Sequence, residues 1–137
     1  MAINILRFII PKSLVEYIES DSTIRQAIEK MSYHRYTAIP VIDGEGAYVG
    51  TVRNEDILKY ILGDGSFTLY DAEEHSVTEI MDHRVTKPLS HSASMEELVE
   101  CVKEHNSVPI IDDRGCFIGI ILRRDVLNYL LKFYKDE

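Results

Sequence analysis

The chain carries one punctuated segment twice. Pro40-Val41-Ile42-Asp43-Gly44-Glu45-Gly46-Ala47-Tyr48-Val49-Gly50 returns as Pro109-Ile110-Ile111-Asp112-Asp113-Arg114-Gly115-Cys116-Phe117-Ile118-Gly119, and both copies run on to an aspartate. The offset of 69 residues from Pro40 to Pro109 is kept through Asp56 and Asp125 as far as Tyr60 and Tyr129. An internal duplication fixes architecture before any single residue is interpreted. Two copies at so long a period do not make a solenoid, so the units are expected to pack on each other.

A chain of 137 residues, 45% of them apolar, is long enough to bury one good core. The net charge of −8 argues against a nucleic-acid partner, which would need a clustered excess of Lys and Arg. No apolar run is long enough to span a bilayer. Arg7, Pro11 and Lys12 interrupt the one apolar N-terminal stretch, so no secretory signal is read and a cytoplasmic protein is expected. Cys101 and Cys116 fall in apolar patterns of the second copy and read as core thiols rather than a disulfide or metal pair.

Each copy resolves into the same order of elements. Thr23 with Gln26, and Ser94 with Glu97, fit the capping box that opens a helix. Ile24, Ala27, Ile28 and Met31 then recur at helical spacing, as do Met95, Leu98, Val99 and Val102. The β-branched runs 38–42 and 108–111 predict strands, each closed by an Asp- and Gly-containing turn and followed by a second strand at 48–52 or 117–121. Helices over 55–62 and 124–132 complete each unit. Pro40 and Pro109 cannot donate a ladder hydrogen bond, so each is expected at a strand start or an edge. Gly63-Asp64-Gly65-Ser66 and the acidic stretch to Glu74 read as a connector, Val77–Met81 as a helical turn, and 85–89 as extended. Residues 3–14 read as the lead-in to copy one. The domain reading is therefore a lead-in over 1–19, a first unit over 20–62, a connector over 63–84 and a second unit over 85–137.

These residues resemble a tandem pair of cystathionine-β-synthase-type (CBS) domains, known as a Bateman module. What carries the resemblance is the duplicated hydrophobic-Pro-hydrophobic-hydrophobic-Asp and Gly, followed by Gly50-Thr51-Val52-Arg53-Asn54-Glu55-Asp56 and Gly119-Ile120-Ile121-Leu122-Arg123-Arg124-Asp125. It covers roughly 20–62 and 85–131. The resemblance implies an α+β fold: two β-α-β-β-α units related by a pseudo-two-fold axis, packed through their sheets, with adenosine compounds held in clefts between them.

The family's ligand motif is Gly, two apolar residues, Ser or Thr, two variable residues, then Asp. Asp56 and Asp125 match the aspartate that binds both ribose hydroxyls. A carboxylate in a first helical turn suits that role, because it accepts two charge-assisted bonds from a vicinal diol while lying favourably on the helix dipole. The hydroxyl position departs from the motif, holding Arg53 in copy one and Leu122 in copy two. Leu122 forfeits a contact, whereas Arg53 could grip a phosphate in a bidentate way, with Arg123 and Arg124 offering similar help in copy two. The resemblance further implies that the backbone of Thr37, Ala38, Ile39 and Pro40, and of Ser107, Val108 and Pro109, reads the adenine edge. Each assignment has a structural counterpart: the aspartates as helix-dipole partners, the arginines as solvated charges, Tyr33, Tyr36 and Tyr48 as packing residues rather than base platforms, and Asp43 and Asp112 as turn formers.

His34, His75, His83, His91 and His105 show no metal-ligand spacing, and no nucleophile with its base is recognisable. The chain thus reads as a non-enzyme requiring no cofactor, a sensor of AMP, ADP, ATP or cyclic di-AMP, with S-adenosylmethionine also in the ligand class. It would signal in trans to a regulated protein partner. The resemblance implies a homodimer, for which Ile57, Leu58, Ile61, Val126, Leu127 and Leu130 offer apolar faces. The alternative is a ligand-free dimerisation or interaction scaffold, favoured by the missing hydroxyl in both motifs.

Overall fold

The computed structural model describes residues 3–34, 36–63, 68–81 and 87–135, with the backbone alone at 134 and 135. In chain order the strands are β1 (Ile10–Pro11), β2 (Ile18–Glu19), β3 (Ala38–Ile42), β4 (Tyr48–Arg53), β5 (Leu89–Ser90), β6 (Ser107–Ile111) and β7 (Phe117–Leu122). The α-helices are α1 (Ile24–His34), α2 (Asn54–Leu62), α3 (Leu69–Glu74), α4 (Met95–Glu104) and α5 (Arg123–Lys135), and among the described residues short 3₁₀ turns lie at Ile5–Phe8, Lys12–Leu14 and Val77–Glu79. The order β-α-β-β-α occurs twice, as β2-α1-β3-β4-α2 and β5-α4-β6-β7-α5, so the α+β expectation holds.

The chain divides into two compact units, one of residues 16–86 and one of residues 1–15 with 87–137. In the first, β3 lies between β2, parallel, and β4, antiparallel. Helix α1 starts on the predicted capping box: the Gln26 N–H donates to Thr23 Oγ1 over 3.1 Å and the Thr23 N–H to Gln26 Oε1 over 2.8 Å. Its stripe of Ile24, Ala27 and Met31 is buried, and Ala27 and Met31 join Ile18, Ile39, Val41, Val52, Val77 and Met81 in one core. The acidic stretch after position 67 is more than a connector. Thr68 caps α3, Ala72 is buried, and Arg25 reaches Glu73 at 2.6 Å, so α3 docks on α1. The Ile24 N–H donates to the His75 carbonyl and the Val77 N–H to that of Ser22, which stitches the segment to the start of α1. The expected connector residues 64–66 and the extended pair 85–86 lie outside the described residues, as do Arg35 and His83.

The second unit has the strand order β1-β7-β6-β5. Its core gathers Ile5, Leu89, Leu98, Val102, Val108, Ile110, Ile121 and Val126. The lead-in expected to serve copy one therefore joins copy two. Strand β1 pairs antiparallel with β7, Ile10 opposite Ile120 and Pro11 opposite Gly119. The pairing needs glycine there, since a Cβ on Gly119 would sit 2.3 Å from the Ile10 carbonyl oxygen. Behind β1, Phe8 packs edge-on against Tyr129 of α5, with the Arg7 guanidinium 4.5 Å from that ring's centre. Val126, read as an interface residue, is fully buried in this core, whereas Leu58 and Leu127 are 56% and 48% exposed.

The duplication extends to individual hydrogen bonds. Asp43 Oδ1 accepts from the N–H groups of Glu45 and Ala47, and Asp112 Oδ1 from those of Arg114 and Cys116, all within 2.9 to 3.0 Å. Gly46 and Gly115 close these turns at φ +88° and +83°, which only glycine adopts without strain. Of the two places expected for the prolines, the strand start is not where they lie, since Pro40 and Pro109 are the third residues of five-residue strands, but a locally open edge is. Each is tolerated because β2 begins opposite Val41 and β5 opposite Ile110, so the proline has a strand neighbour on one side only.

Candidate functional site

Within each unit the topology brings together the two segments that the motif keeps apart in sequence. The Asn54 N–H donates to the Thr37 carbonyl over 3.0 Å, and the Arg123 N–H to the Asn106 carbonyl over 2.8 Å. Ala38 pairs with Arg53 and Ser107 with Leu122, so the start of each central strand abuts the start of the following helix. The residues 38–40 and 107–109 thus pair with a strand on one side only, among the described residues. Ile39, Pro40, Val108 and Pro109 are buried, Ala38 and Ser107 half-buried, and Thr37 exposed.

The two aspartates occupy the third position of their helices but differ in surroundings. Asp56 is 4% exposed. Its Oδ2 accepts the Arg53 backbone N–H over 2.8 Å and Nε over 3.4 Å, and its Oδ1 accepts Nη2 over 3.0 Å. A further arm of the same guanidinium, Nη1, donates to Glu55 over 2.9 Å. Arg53 is thereby folded onto the first turn of its own helix, its side chain 21% exposed. Asp125 is half-buried and, among the described residues, makes no side-chain hydrogen bond or ion pair. Leu122 stands where Arg53 stands in copy one and supplies no guanidinium.

Arg123 takes another path. Its Nε donates to the Val102 carbonyl over 2.6 Å and its Nη2 to that of Lys103 over 3.5 Å, closing the C-terminus of α4. Arg124 is exposed at the start of α5. Of the three arginines read as phosphate contacts, the structure brings Arg53 onto the aspartate, commits Arg123 to the neighbouring helix, and leaves Arg124 facing solvent.

A polar pair beside the first copy's motif, Thr51 buried and Tyr48 half-buried, was not read as a pair in sequence. Tyr48 Oη and Thr51 Oγ1 lie 2.6 Å apart, and burial pushes the Tyr48 phenol up to about 12, so it stays protonated at neutral pH. The signal was present: Thr51 interrupts a strand where copy two has Ile120, and Phe117 replaces Tyr48. Tyr48 is therefore a packing residue with a bonded hydroxyl. Tyr36 stacks on His34 at 5.2 Å and lines a groove of about 360 Å³ with Ile28, Met31, Ser32, Asn54 and Ile57. Tyr33, edge-on to His34, is 84% exposed. A larger groove of about 740 Å³ lies at the start of α4, lined by none of the residues read as ligand contacts. Among the described residues no helix is long and apolar enough to cross a membrane.

Comparison with known proteins bears on this arrangement. The CBS domain family matches residues 10–63 and 77–132. An uncharacterised protein of Methanocaldococcus jannaschii is 28% identical over 96% of the chain, which spans 50% of that relative's length. Among solved structures, CbpB in complex with c-di-AMP superposes with a TM-score of 0.87 at 21% identity, covering 98% of this chain and 89% of that one. CBSX2 in complex with AMP gives 0.74 at 21% identity, covering 93% and 96%.

Proposed function

The chain belongs to the CBS domain family, and from that premise we propose that it is a regulatory module that binds an adenosine-containing ligand and passes its occupancy to a protein partner. The observation that carries this reading is Asp125. A half-buried carboxylate in a first helical turn, with no protein partner among the described residues, stands beside a strand start whose backbone pairs on one side only. In the proposed complex the Asp125 carboxylate accepts from the ribose hydroxyls, the backbone of Ser107–Pro109 meets the adenine edge, and Arg124 turns toward phosphate. Copy one would use Asp56, Thr37–Pro40 and Arg53 in the same roles. The ligands bound by two proteins of like fold, c-di-AMP in CbpB and AMP in CBSX2, support the adenosine class.

Ligand chemistry separates the members of that class. AMP, ADP, ATP and S-adenosylmethionine offer a vicinal diol to a carboxylate, whereas in cyclic di-AMP each 3′ oxygen is esterified and one hydroxyl per ribose remains. Regulation follows if the ligand binds one conformation of the protein more tightly than another, which shifts the population of whatever surface the partner reads. A homodimer in the cytoplasm, with Leu58, Leu62, Leu127 and Leu131 contributing exposed apolar surface, is part of the proposal.

The test is thermal unfolding against AMP, ADP, ATP, cyclic di-AMP, S-adenosylmethionine and guanine controls, repeated with Asp125→Ala. A ligand at a hundred times its dissociation constant adds about 2.7 kcal/mol, enough to raise the midpoint by several degrees. A rise with one adenosine compound that Asp125→Ala abolishes supports the sensor. The second reading, a ligand-free interaction scaffold, is favoured by Leu122 and by the guanidinium already on Asp56. Flat curves across the panel with an intact dimer would turn the balance to that scaffold.

A further inference from the structure

The same motif position differs between the copies: in copy one it holds Arg53, whose forked cation lies on Asp56, and in copy two it holds Leu122, which has no donor to offer Asp125. We infer that Arg53 acts as a latch on Asp56, making the first copy's site more selective for phosphate-bearing ligands than the Leu122 copy, whose aspartate holds no cation among the described residues. The inference rests on the reading that these aspartates hold ribose.

Ribose and the Arg53 guanidinium compete for the same carboxylate. Asp56 is 4% exposed, and both its oxygens already accept from Arg53: Oδ2 from the backbone N–H and Nε, Oδ1 from Nη2. A ribose diol needs the same acceptor lone pairs, so it must displace the guanidinium. An uncharged nucleoside gives the displaced cation nothing in return. A 5′-phosphate does, because a guanidinium binds phosphate by the same two-pronged geometry it uses on carboxylate. Glu55, which holds Nη1 at 2.9 Å, anchors the cation at the helix start, so the exchange is a swing of the side chain rather than its release to solvent. Losing a charge-assisted, bidentate contact without replacement corresponds to roughly ten- to a hundredfold in affinity. Copy two imposes no such exchange. Leu122 offers no donor, Arg123 is fixed to the Val102 and Lys103 carbonyls, and the exposed Arg124 forms no ion pair with Asp125 among the described residues, so a phosphate that meets it displaces nothing from the aspartate.

The experiment measures AMP and adenosine binding by calorimetry, one copy at a time. Asp125→Ala isolates copy one, and Asp56→Asn, which keeps the cap's shape, isolates copy two. Copy one is expected to prefer AMP over adenosine by roughly ten- to a hundredfold more than copy two does. Arg53→Leu, which gives copy one the residue of copy two, should collapse that preference, chiefly by raising adenosine affinity. The reciprocal Leu122→Arg, read in the Asp56→Asn background, should create the preference in copy two, and it covers the case in which Arg53→Leu does not fold. An AMP-to-adenosine ratio unmoved by both exchanges overturns the latch, as does AMP binding confined to copy two. Should neither ligand bind the wild type, or binding ignore both aspartates, the ribose assignment itself falls and the latch with it. That outcome is distinct from Asp125-dependent binding accompanied by a silent Arg53→Leu.

Discussion

Gly119 lies against Ile10 with no room for a side chain: a Cβ on the glycine would stand 2.3 Å from the Ile10 carbonyl oxygen and 2.9 Å from Ile9 Cγ1. The N-terminal strand is joined to the second copy at this point, at the register Pro11 opposite Gly119. Gly119→Ala must push β1 away from β7, at a cost of about 1–3 kcal/mol. Hydrogen exchange should show protection lost over residues 5–11 and largely kept in β6. Unchanged protection of that segment would show that β1 is not held by this contact.

Leu98 is fully buried on α4 in the second unit's core, while Leu14 is 76% exposed. Leu98→Ala removes transfer energy and leaves a cavity, so urea unfolding should report a loss of about 2–5 kcal/mol. Leu14→Ala should stay within about 0.5 kcal/mol. Comparable losses from the two variants would mean that Leu14 is covered by something beyond its own unit.

The features legible in sequence are those with local causes. The capping boxes at Thr23 and Ser94, the 3.6-residue stripes that follow, and the Asp turns with glycine at 46 and 115 each encode their element within a few residues. The destination of Ile10–Pro11 was not legible, because the cue is an absence, the missing side chain of Gly119 far along the chain. Helix α3 was hidden by its acidic composition, which matches a connector until Arg25 is seen to meet Glu73. At the candidate site the repeat identified the two aspartates as equivalent. It could not separate Arg53 from Arg123, since a guanidinium lies several rotatable bonds from its backbone and tertiary neighbours choose its partner.

Asp112 gives the second unit an acid-sensitive turn. The N–H groups of Cys116 and then Arg114 hold its carboxyl below the usual carboxylate range. A depressed folded value means that the unfolded chain takes up the proton first as pH falls. The stabilisation is therefore complete above the unfolded value of about 4 and is lost as pH drops through the lower folded value. Asp112→Asn keeps an acceptor oxygen for both N–H groups but does not titrate. Urea midpoints measured between about pH 4 and pH 2 should fall less steeply for the variant than for the wild type. Identical slopes would remove Asp112 from the acid response.

The contrast between the two aspartates also predicts how each contributes to stability in the absence of any nucleotide. Asp56→Ala strips the acceptor from the Arg53 N–H at the start of α2 and leaves the guanidinium with one fewer carboxylate, so unfolding should show a loss of about 2 kcal/mol. Asp125→Ala removes no partnered hydrogen bond among the described residues, only the favourable placement of a negative charge in a first helical turn. Its cost should stay below about 1 kcal/mol. Equilibrium urea unfolding of the two variants checks the pair. An Asp125→Ala loss as large as that of Asp56→Ala would give Asp125 a structural role and take away the observation that marks it as a ligand's carboxylate.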